Sequence, residues 1–281
     1  MSGQIAVYIV LTAIFAAGVA LAWLWQIAPA AGGRRDEARL GHIGVAWYYF
    51  AAVAFFTVVC GVLAQALFWV LCRWRCPEIR MDADFGKMIS MGAFGAGVAG
   101  GALYVRRLLA AMQTLQNGAQ AKPAPPVALS KIPAAGAGVF CITWAAAQLV
   151  SFVWNWALDR LGAPQGGQEL VELLRNEREP GRLAAMGFVA VVVAPVWEEI
   201  IFRGALFGYL RTRVPRVFAF VLPALVFAAV HYDLRAAAPL FVFGLVHCKA
   251  YERTGRIGVT IISHALFNLT TVVLVLTGVQ L

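Results

Sequence analysis

Long apolar stretches separated by short polar connections run through the whole sequence. Eight such stretches can be drawn, at about residues 4–29, 43–71, 86–105, 134–158, 184–209, 215–232, 236–251 and 257–280. Because about 20 apolar residues cross the hydrocarbon core of a bilayer as a helix, the pattern predicts an all-α, polytopic transmembrane helical bundle of about eight spans. The third stretch is short and glycine-rich, so it could be re-entrant, and the seventh is short enough to be tilted or partly broken.

Two of the connections are longer and more polar than the rest. Residues 112–133 contain Gln, Asn, Gly and Pro and are typical of a flexible linker. Residues 159–183 mix acids with arginines, and their leucines share an apolar side, which predicts a short interfacial helix. We therefore divide the chain into amino-terminal membrane spans over 1–158, a polar connection over 159–183 and a membrane bundle over 184–281.

Composition supports a membrane protein and argues against other classes. Hydrophobic residues make up 61% of the 281 residues and charged residues 13%, whereas soluble domains are about 45–50% apolar and about 25% charged. The apolar runs are unbroken, unlike the roughly 10-residue alternating segments of a membrane barrel. The net charge of +9 lies mainly in short loops, so the expected partner is the lipid bilayer and not nucleic acid. Frequent Ala, Gly and Arg indicate a bacterial genome, and hence a multi-pass protein of the bacterial inner membrane.

Two adjacent glutamates interrupt the fifth apolar stretch. Each carboxylate near the membrane centre costs a few kcal/mol, so such residues usually face a bundle interior or a wet cavity. Glu199 and Arg203 are four residues apart in the favourable order for a helical ion pair, and we expect them to neutralise each other. Successive helical residues are offset by about 100°, so Glu198 and Glu199 are not expected to face one cavity. Glu198 is then left without a local partner and is a candidate general base for water.

Polar residues also occur in two later apolar stretches. His231 ends the sixth, and His264 and Asn268 lie one turn apart on one face of the eighth. Each alone fits a structural hydrogen bond, but with the free glutamate they supply a base, two imidazoles and an amide, which can activate water and stabilise an oxyanion. The other two histidines, His42 and His247, lie near segment edges and are interpreted as structural. The sequence therefore predicts a polar catalytic cavity formed by the later helices.

Three motifs, in this order, resemble the CPBP family of intramembrane proteases, also called the CAAX-protease and bacteriocin-processing, or Abi, family. This family includes the eukaryotic Ras-converting CAAX endoprotease. Its pattern is Glu-Glu-x-x-x-Arg, then Phe-x-x-x-His, then His-x-x-x-Asn or a similar residue in place of Asn, on separate spans. The sequence matches this pattern from Glu198 to Arg203, from Phe227 to His231 and from His264 to Asn268. The resemblance covers about residues 180–275, and no motif can be placed in the first four spans.

The resemblance implies hydrolysis of a peptide bond in or near the membrane. The substrate would be a membrane-associated protein or peptide, which could be lipidated or carry a carboxy-terminal transmembrane tail. The implied roles are water activation by Glu198, positioning of water or substrate by His231, oxyanion stabilisation by His264 and Asn268, and support of the site by Glu199, Arg203 and Phe227.

A zinc-dependent version of the same protease is an alternative, because family members have also been described as metalloproteases. The ligands would then be Glu198, His231 and His264. Asn268 is a weak zinc ligand, and the sequence has no His-x-x-x-His pair. We therefore favour the glutamate mechanism without a cofactor.

Two other classes of function stay open from the residues alone. Membrane glutamates and histidines also relay protons, so the chain could be a proton-coupled transporter. The glutamate–arginine ion pair and the lack of an evident inverted repeat argue against this interpretation. A non-catalytic scaffold that binds the transmembrane segment of a partner is the other alternative.

Overall fold

The computed structural model describes residues 2–27, 47–75, 83–116, 126–164 and 169–278, and every regular element within these ranges is helical. The helices are α1 (Ser2–Ile27), α2 (Trp47–Arg75), α3 (Ala83–Gln116), α4 (Ile132–Arg160), α5 (Glu169–Asn176), α6 (Pro180–Leu210), α7 (Arg216–Ala229), α8 (Leu234–Thr254) and α9 (Ile257–Thr277). A 3₁₀ turn, Leu129–Lys131, precedes α4. The predicted all-α architecture is confirmed.

In the part of the chain that the structure describes, each of the eight predicted apolar stretches coincides with a helix. Within the described residues, five helical stretches are long and apolar enough to cross a membrane: Ala54–Trp74, Met88–Val105, Leu129–Arg160, Pro180–Leu210 and Ile257–Thr277. The chain is therefore an integral, multi-pass membrane protein, as predicted, whereas the number of eight spans stays a prediction. The third stretch lies in the continuous helix α3 and is not re-entrant. The seventh forms α8, which continues through Pro239.

The polar connections differ in part from their predicted form. The linker expected over 112–133 begins later, because residues 112–116 continue α3, and residues 117–125 lie outside the described part of the chain. The short helix expected within 159–183 is α5. Its residue Leu174 is buried against Met88 of α3 and Met186 of α6. This contact holds the polar connection against the helices on either side of it.

Glycines let α3 lie close to its neighbours. A Cβ atom at Gly97 would come within 2.6 Å of the Cβ of Ala64 in α2. A Cβ atom at Gly95 would collide with the indole ring of Trp197 in α6. Small residues at such positions allow helices to approach within backbone contact in a membrane. Through Gly95, the amino-terminal half of the chain is packed directly against the helix that carries the two glutamates.

Helix α4 connects the helices that carry the polar residues. Val139 packs against Ala250 of α8 and Val259 of α9. At the other end of α4, Asp159 accepts from Arg235 at the start of α8, at 2.9 Å. Both ends of α8 are therefore fixed to one long helix, which also holds α9 in place.

A tight turn joins α8 to α9. Gly255 has a φ of 65°, a left-handed conformation that glycine adopts without a steric penalty. Its N–H donates to the carbonyl of Tyr251 at 2.9 Å, and Nε of Arg256 donates to the carbonyl of Val127 at 2.8 Å. The turn sends α9 back along the bundle, where His264 meets α6.

Candidate active site

Helix α6 is wound more widely than an ordinary α-helix on both sides of the two glutamates. Val189–Val193 and Ile200–Phe207 form π-type turns, in which N–H groups bond five residues back along the chain. The glutamates end the ordinary α-helical segment Ala194–Glu199 between these turns. Wide turns of this kind are rare in proteins as a whole, and those that occur are often at functional sites.

Glu199, Arg203 and His264 form a buried group of charged and polar side chains. Nη1 of Arg203 lies 3.0 Å from Oε1 of Glu199, and Nδ1 of His264 lies 2.9 Å from the same oxygen. The exposed fraction is 0% for Glu199, 1% for Arg203 and 3% for His264. Because a carboxylate only accepts, the Nδ1–H of His264 donates to Glu199. The ion pair expected from the spacing is thus present, and it also fixes the orientation of the imidazole.

Glu198 approaches the other nitrogen of the same imidazole. Its Oε2 atom lies 3.8 Å from Nε2 of His264. The expectation that the two glutamates cannot face one cavity is therefore wrong. The helical offset separates their Cβ atoms, but the side chains are long enough to converge on opposite nitrogens of a ring that lies between them. The side chain of Glu198 is 12% exposed and that of Glu199 is 0% exposed, so Glu198 is the more accessible carboxylate.

Phe227 links His231 to this group. The side chain of Phe227 is buried, and Cζ of Arg203 lies 4.5 Å from its ring centroid. The imidazole centroids of His231 and His264 lie 4.8 Å and 5.9 Å from the same centroid. Nδ1 of His231 lies 2.7 Å from the carbonyl oxygen of Phe227. The structure therefore brings one residue of each motif, Arg203, His231 and His264, around one aromatic ring.

Asn268 contacts the wide turn that precedes Pro195. Its Nδ2 donates to the carbonyl oxygen of Ala190 at 2.8 Å. The N–H of Ala194 bonds to Val189, and Pro195 has no N–H, so neither residue supplies a donor to that carbonyl. An unpaired buried carbonyl costs free energy. The Asn268 amide thus supplies a hydrogen bond that α6 cannot make within itself.

We predict that Asn268→Ala lowers the free energy of unfolding by about 1–3 kcal/mol, because the Ala190 carbonyl would be buried without its donor. The measurement is the unfolding midpoint of the purified protein in mixed micelles with increasing SDS. Asn176→Ala is the control, because Asn176 is exposed at the end of α5 and its loss should change stability by less than about 0.5 kcal/mol. Equal midpoints for Asn268→Ala and the wild type would contradict the structural role of this hydrogen bond.

The sequence interpretation of His247 as a structural residue at a segment edge missed its position. The residue is completely buried in α8, and its ring centroid lies 6.0 Å from that of His264. It interacts electrostatically with Glu199 and Arg203. His247 lies 17 residues before His264, and the turn between α8 and α9 separates them. Helical periodicity therefore gave no indication that the two imidazoles are close. His42 lies outside the described residues.

The side chains present do not fit a zinc site. Zinc would require Glu198, His231 and His264 to converge on one point, and Nδ1 of His231 and Nδ1 of His264 are already engaged by the Phe227 carbonyl and by Glu199. In the ranges that the structure describes, no three His, Cys, Asp or Glu side chains are arranged to hold a metal ion.

The arrangement is suited to proton transfer at one accessible carboxylate. The imidazole of His264 is fixed at Nδ1 by a buried, paired glutamate, and its Nε2 is directed at Glu198. A carboxylate beside an oriented imidazole can remove a proton from water and bind the charge that develops during attack on a carbonyl.

The part of the chain that contains these residues matches a known family. Residues 180–270 match the family described as "Type II CAAX prenyl endopeptidase Rce1-like". This match confirms the resemblance predicted from the three motifs, and it covers α6 to the middle of α9. No solved structure matches the chain.

Two bacterial proteins are similar to the chain over a comparable length. The "Putative membrane peptidase YdiL" of Bacillus subtilis is 35% identical over 95 residues, which are 34% of this chain and 39% of YdiL. The "Membrane-embedded CAAX protease MroQ" of Staphylococcus aureus is 33% identical over 87 residues, which are 29% of this chain and 35% of MroQ. The chain thus spans less than two-fifths of the length of these relatives.

Proposed function

Because residues 180–270 form a segment of the CAAX endopeptidase type, we propose that the protein is an intramembrane endopeptidase that hydrolyses a peptide bond with water activated by Glu198. The placement of His264 between two carboxylates supports this most directly. Glu199 holds one nitrogen of the ring at 2.9 Å, and Glu198 faces the other at 3.8 Å. Glu199 is completely buried and orients the ring, whereas Glu198 is 12% exposed and has no hydrogen-bond partner at Oε2 among the described residues, so Glu198 is the carboxylate proposed to act on a substrate.

A bridging water is the proposed nucleophile. The 3.8 Å between Oε2 of Glu198 and Nε2 of His264 is too long for a direct hydrogen bond but suits a water that bonds to both atoms. Glu198 removes a proton from this water while the oxygen of the water attacks the peptide carbonyl carbon. Protonated Glu198 then gives the proton to the departing nitrogen as the C–N bond breaks. The products are a carboxylic acid and an amine, and the carboxylate of Glu198 is restored.

Oxyanion stabilisation is assigned to His264 and Asn268. Glu198, Glu199, Arg203 and His264 are connected by short contacts. When the imidazole is protonated, the two negative and two positive charges of these four side chains cancel. The Nε2–H of the protonated ring can then donate to the oxyanion. The amide nitrogen of Asn268 carries a second N–H besides the one on Ala190, and this is the second proposed donor. His231, anchored to the Phe227 carbonyl, is proposed to position the water or the substrate.

We propose that the substrate is a membrane-associated protein or peptide that is cleaved near its carboxy-terminal region. The matched family and the Staphylococcus aureus relative both carry CAAX in their descriptions, so a prenylated carboxy-terminal motif is the first candidate. A carboxy-terminal transmembrane tail is the second, because it too reaches a site between membrane helices from the lipid.

Comparative membrane proteomics tests this function and finds the substrate. Cells that produce the wild type are compared with cells that produce Glu198→Gln at equal abundance. We expect at least one membrane protein to keep its carboxy-terminal peptides only with the variant. Identical proteomes would contradict a peptidase. Full function of Glu198→Gln in the cell would favour a scaffold, and proton flux in vesicles that depends on Glu198 without cleavage would favour a transporter.

A further inference from the structure

His247 is a fourth polar residue of the buried group, although it lies outside the three motifs. It is carried by α8, one turn after Phe243, and its ring stacks on the Phe243 ring with centroids 3.9 Å apart and an angle of 18° between the planes. The side chain has no solvent exposure. Stacking and burial fix the orientation of the imidazole, so each ring nitrogen faces a defined set of neighbouring atoms.

One nitrogen of His247 is engaged within α8 and the other is not. Nδ1 lies 3.0 Å from the carbonyl oxygen of Phe243, and since a carbonyl only accepts, this nitrogen carries the hydrogen. In the neutral ring, Nε2 is then an acceptor. It is buried and has no hydrogen-bond partner among the described residues. Buried polar atoms are almost always satisfied, so a donor is required beside it.

Arg203 is the neighbouring side chain that has hydrogen-bond donors available for Nε2 of His247. Its guanidinium has five N–H groups. Nη1 lies 3.0 Å from Oε1 of Glu199, but none of the three buried guanidinium nitrogens makes a geometrically well-formed hydrogen bond among the described residues. The thiol of Cys248, next to His247 in α8, also interacts with Arg203, which places the guanidinium beside this part of α8. The Arg203 Cζ atom lies 5.5 Å from the centroid of the Phe243 ring on which His247 stacks.

We propose that Nε2 of His247 accepts a hydrogen bond from Arg203, directly or through an internal water, and so keeps Glu199 aligned on His264. His247 is thus a positioning residue that acts through Arg203 and Glu199. The connection runs from the Phe243 carbonyl in α8 through α6 to the imidazole in α9. This inference rests on the proposed function for its effect on cleavage, but the alignment itself can be measured without a substrate.

Three variants distinguish the contribution of the Nε2 acceptor of His247 from that of the rest of its side chain. His247→Phe keeps an aromatic ring against Phe243 but has no polar atom. His247→Asn places an amide near Nδ1, where it can still bond to the Phe243 carbonyl, but nothing at Nε2. His247→Gln places an amide oxygen near Nε2. If the acceptor at Nε2 is what matters, only His247→Gln should behave like the wild type.

The first readout is the proton NMR signal of the His264 Nδ1–H in ¹⁵N-histidine-labelled protein in nanodiscs, assigned by its loss in His264→Gln. We expect the wild type and His247→Gln to give a shifted, slowly exchanging signal, and His247→Phe and His247→Asn to lose it. The second readout is cleavage of the precursor found by proteomics. The kcat of His247→Phe and His247→Asn should fall by up to about a hundredfold, with KM changed less than about twofold and His247→Gln close to the wild type.

Each outcome decides the proposal. Unchanged signal and kcat in all three variants would overturn it, and so would equal loss in all three, because His247→Gln restores the acceptor. A lower unfolding midpoint with an unchanged His264 signal would show a structural role only. If the wild type cleaves no precursor, the proposed function fails, whereas the His264 signal still shows whether His247 aligns the ring.

Discussion

Glu198→Gln is expected to lower kcat by about 10²- to 10⁴-fold while the protein stays folded. Glutamine keeps the size of the side chain but cannot take a proton from water, and general-base catalysis contributes about this factor. The fold should be insensitive to the change, because Oε2 of Glu198 has no hydrogen-bond partner among the described residues and its contact with His264 is 3.8 Å long. The measurement is single-turnover cleavage of the precursor in proteoliposomes, together with the unfolding midpoint.

Glu172→Gln is the matched control for this prediction. Glu172 is exposed on α5, so its replacement removes the same charge without touching the site, and cleavage should continue at the wild-type rate. Cleavage by Glu198→Gln within a few-fold of the wild type would show that another group activates the water. Loss of both cleavage and folded protein would instead place Glu198 among the residues that hold the bundle together.

The second large effect is expected on stability, from breaking the Glu199–Arg203 pair. Both side chains are almost completely buried, with 3.0 Å between Oε1 and Nη1, so removing either charge leaves the other in a medium of low dielectric constant. We expect Glu199→Gln and Arg203→Met each to lower the free energy of unfolding by about 3–5 kcal/mol. The double variant should lose less than the sum of the two, because no uncompensated charge remains.

Denaturation by SDS in mixed micelles measures all three variants in one cycle. The pair Arg216–Glu252, also with 3.0 Å between its charged atoms, is the control, broken by Arg216→Met. The Arg216 side chain is 52% exposed, and Glu252, which is 13% exposed, keeps its contact with Lys249 at 3.4 Å. Breaking that pair should change stability by about 0.2–1 kcal/mol. If both pairs cost the same, or if the losses at Glu199 and Arg203 simply add, the buried group is not coupled as the structure indicates.

The sequence predicted the elements of the fold because a membrane helix is specified locally. Each apolar stretch is long enough to form its own hydrogen bonds and to face lipid, and all eight coincide with helices. The ion pair between Glu199 and Arg203 was predictable for the same reason, since residues four apart on one helix are neighbours. The division into 1–158, 159–183 and 184–281 and the catalytic roles stay predictions.

The site contacts that could not be predicted from the sequence depend on packing between helices and on departures from regular α-helical geometry. The convergence of Glu198 and Glu199 on one ring was missed because the position of His264 between them is set by tertiary packing. The bond from Asn268 to Ala190 depends on the wide turn before Pro195, which apolar periodicity does not reveal. His247 was missed because the titratable side chains around it, Glu199, Arg203 and His264, come from α6 and α9.

The contact between Gly95 and Trp197 limits how this protein can be recombined with its relatives. Trp197 directly precedes the proposed base, and its indole occupies the space that any larger side chain at position 95 would need. Exchanging the first three helices for those of a homologue would therefore push on the residue next to Glu198 unless the donor also had glycine there. The portion of the chain without a recognisable motif is thus tied sterically to the portion that has one, and the two must change together.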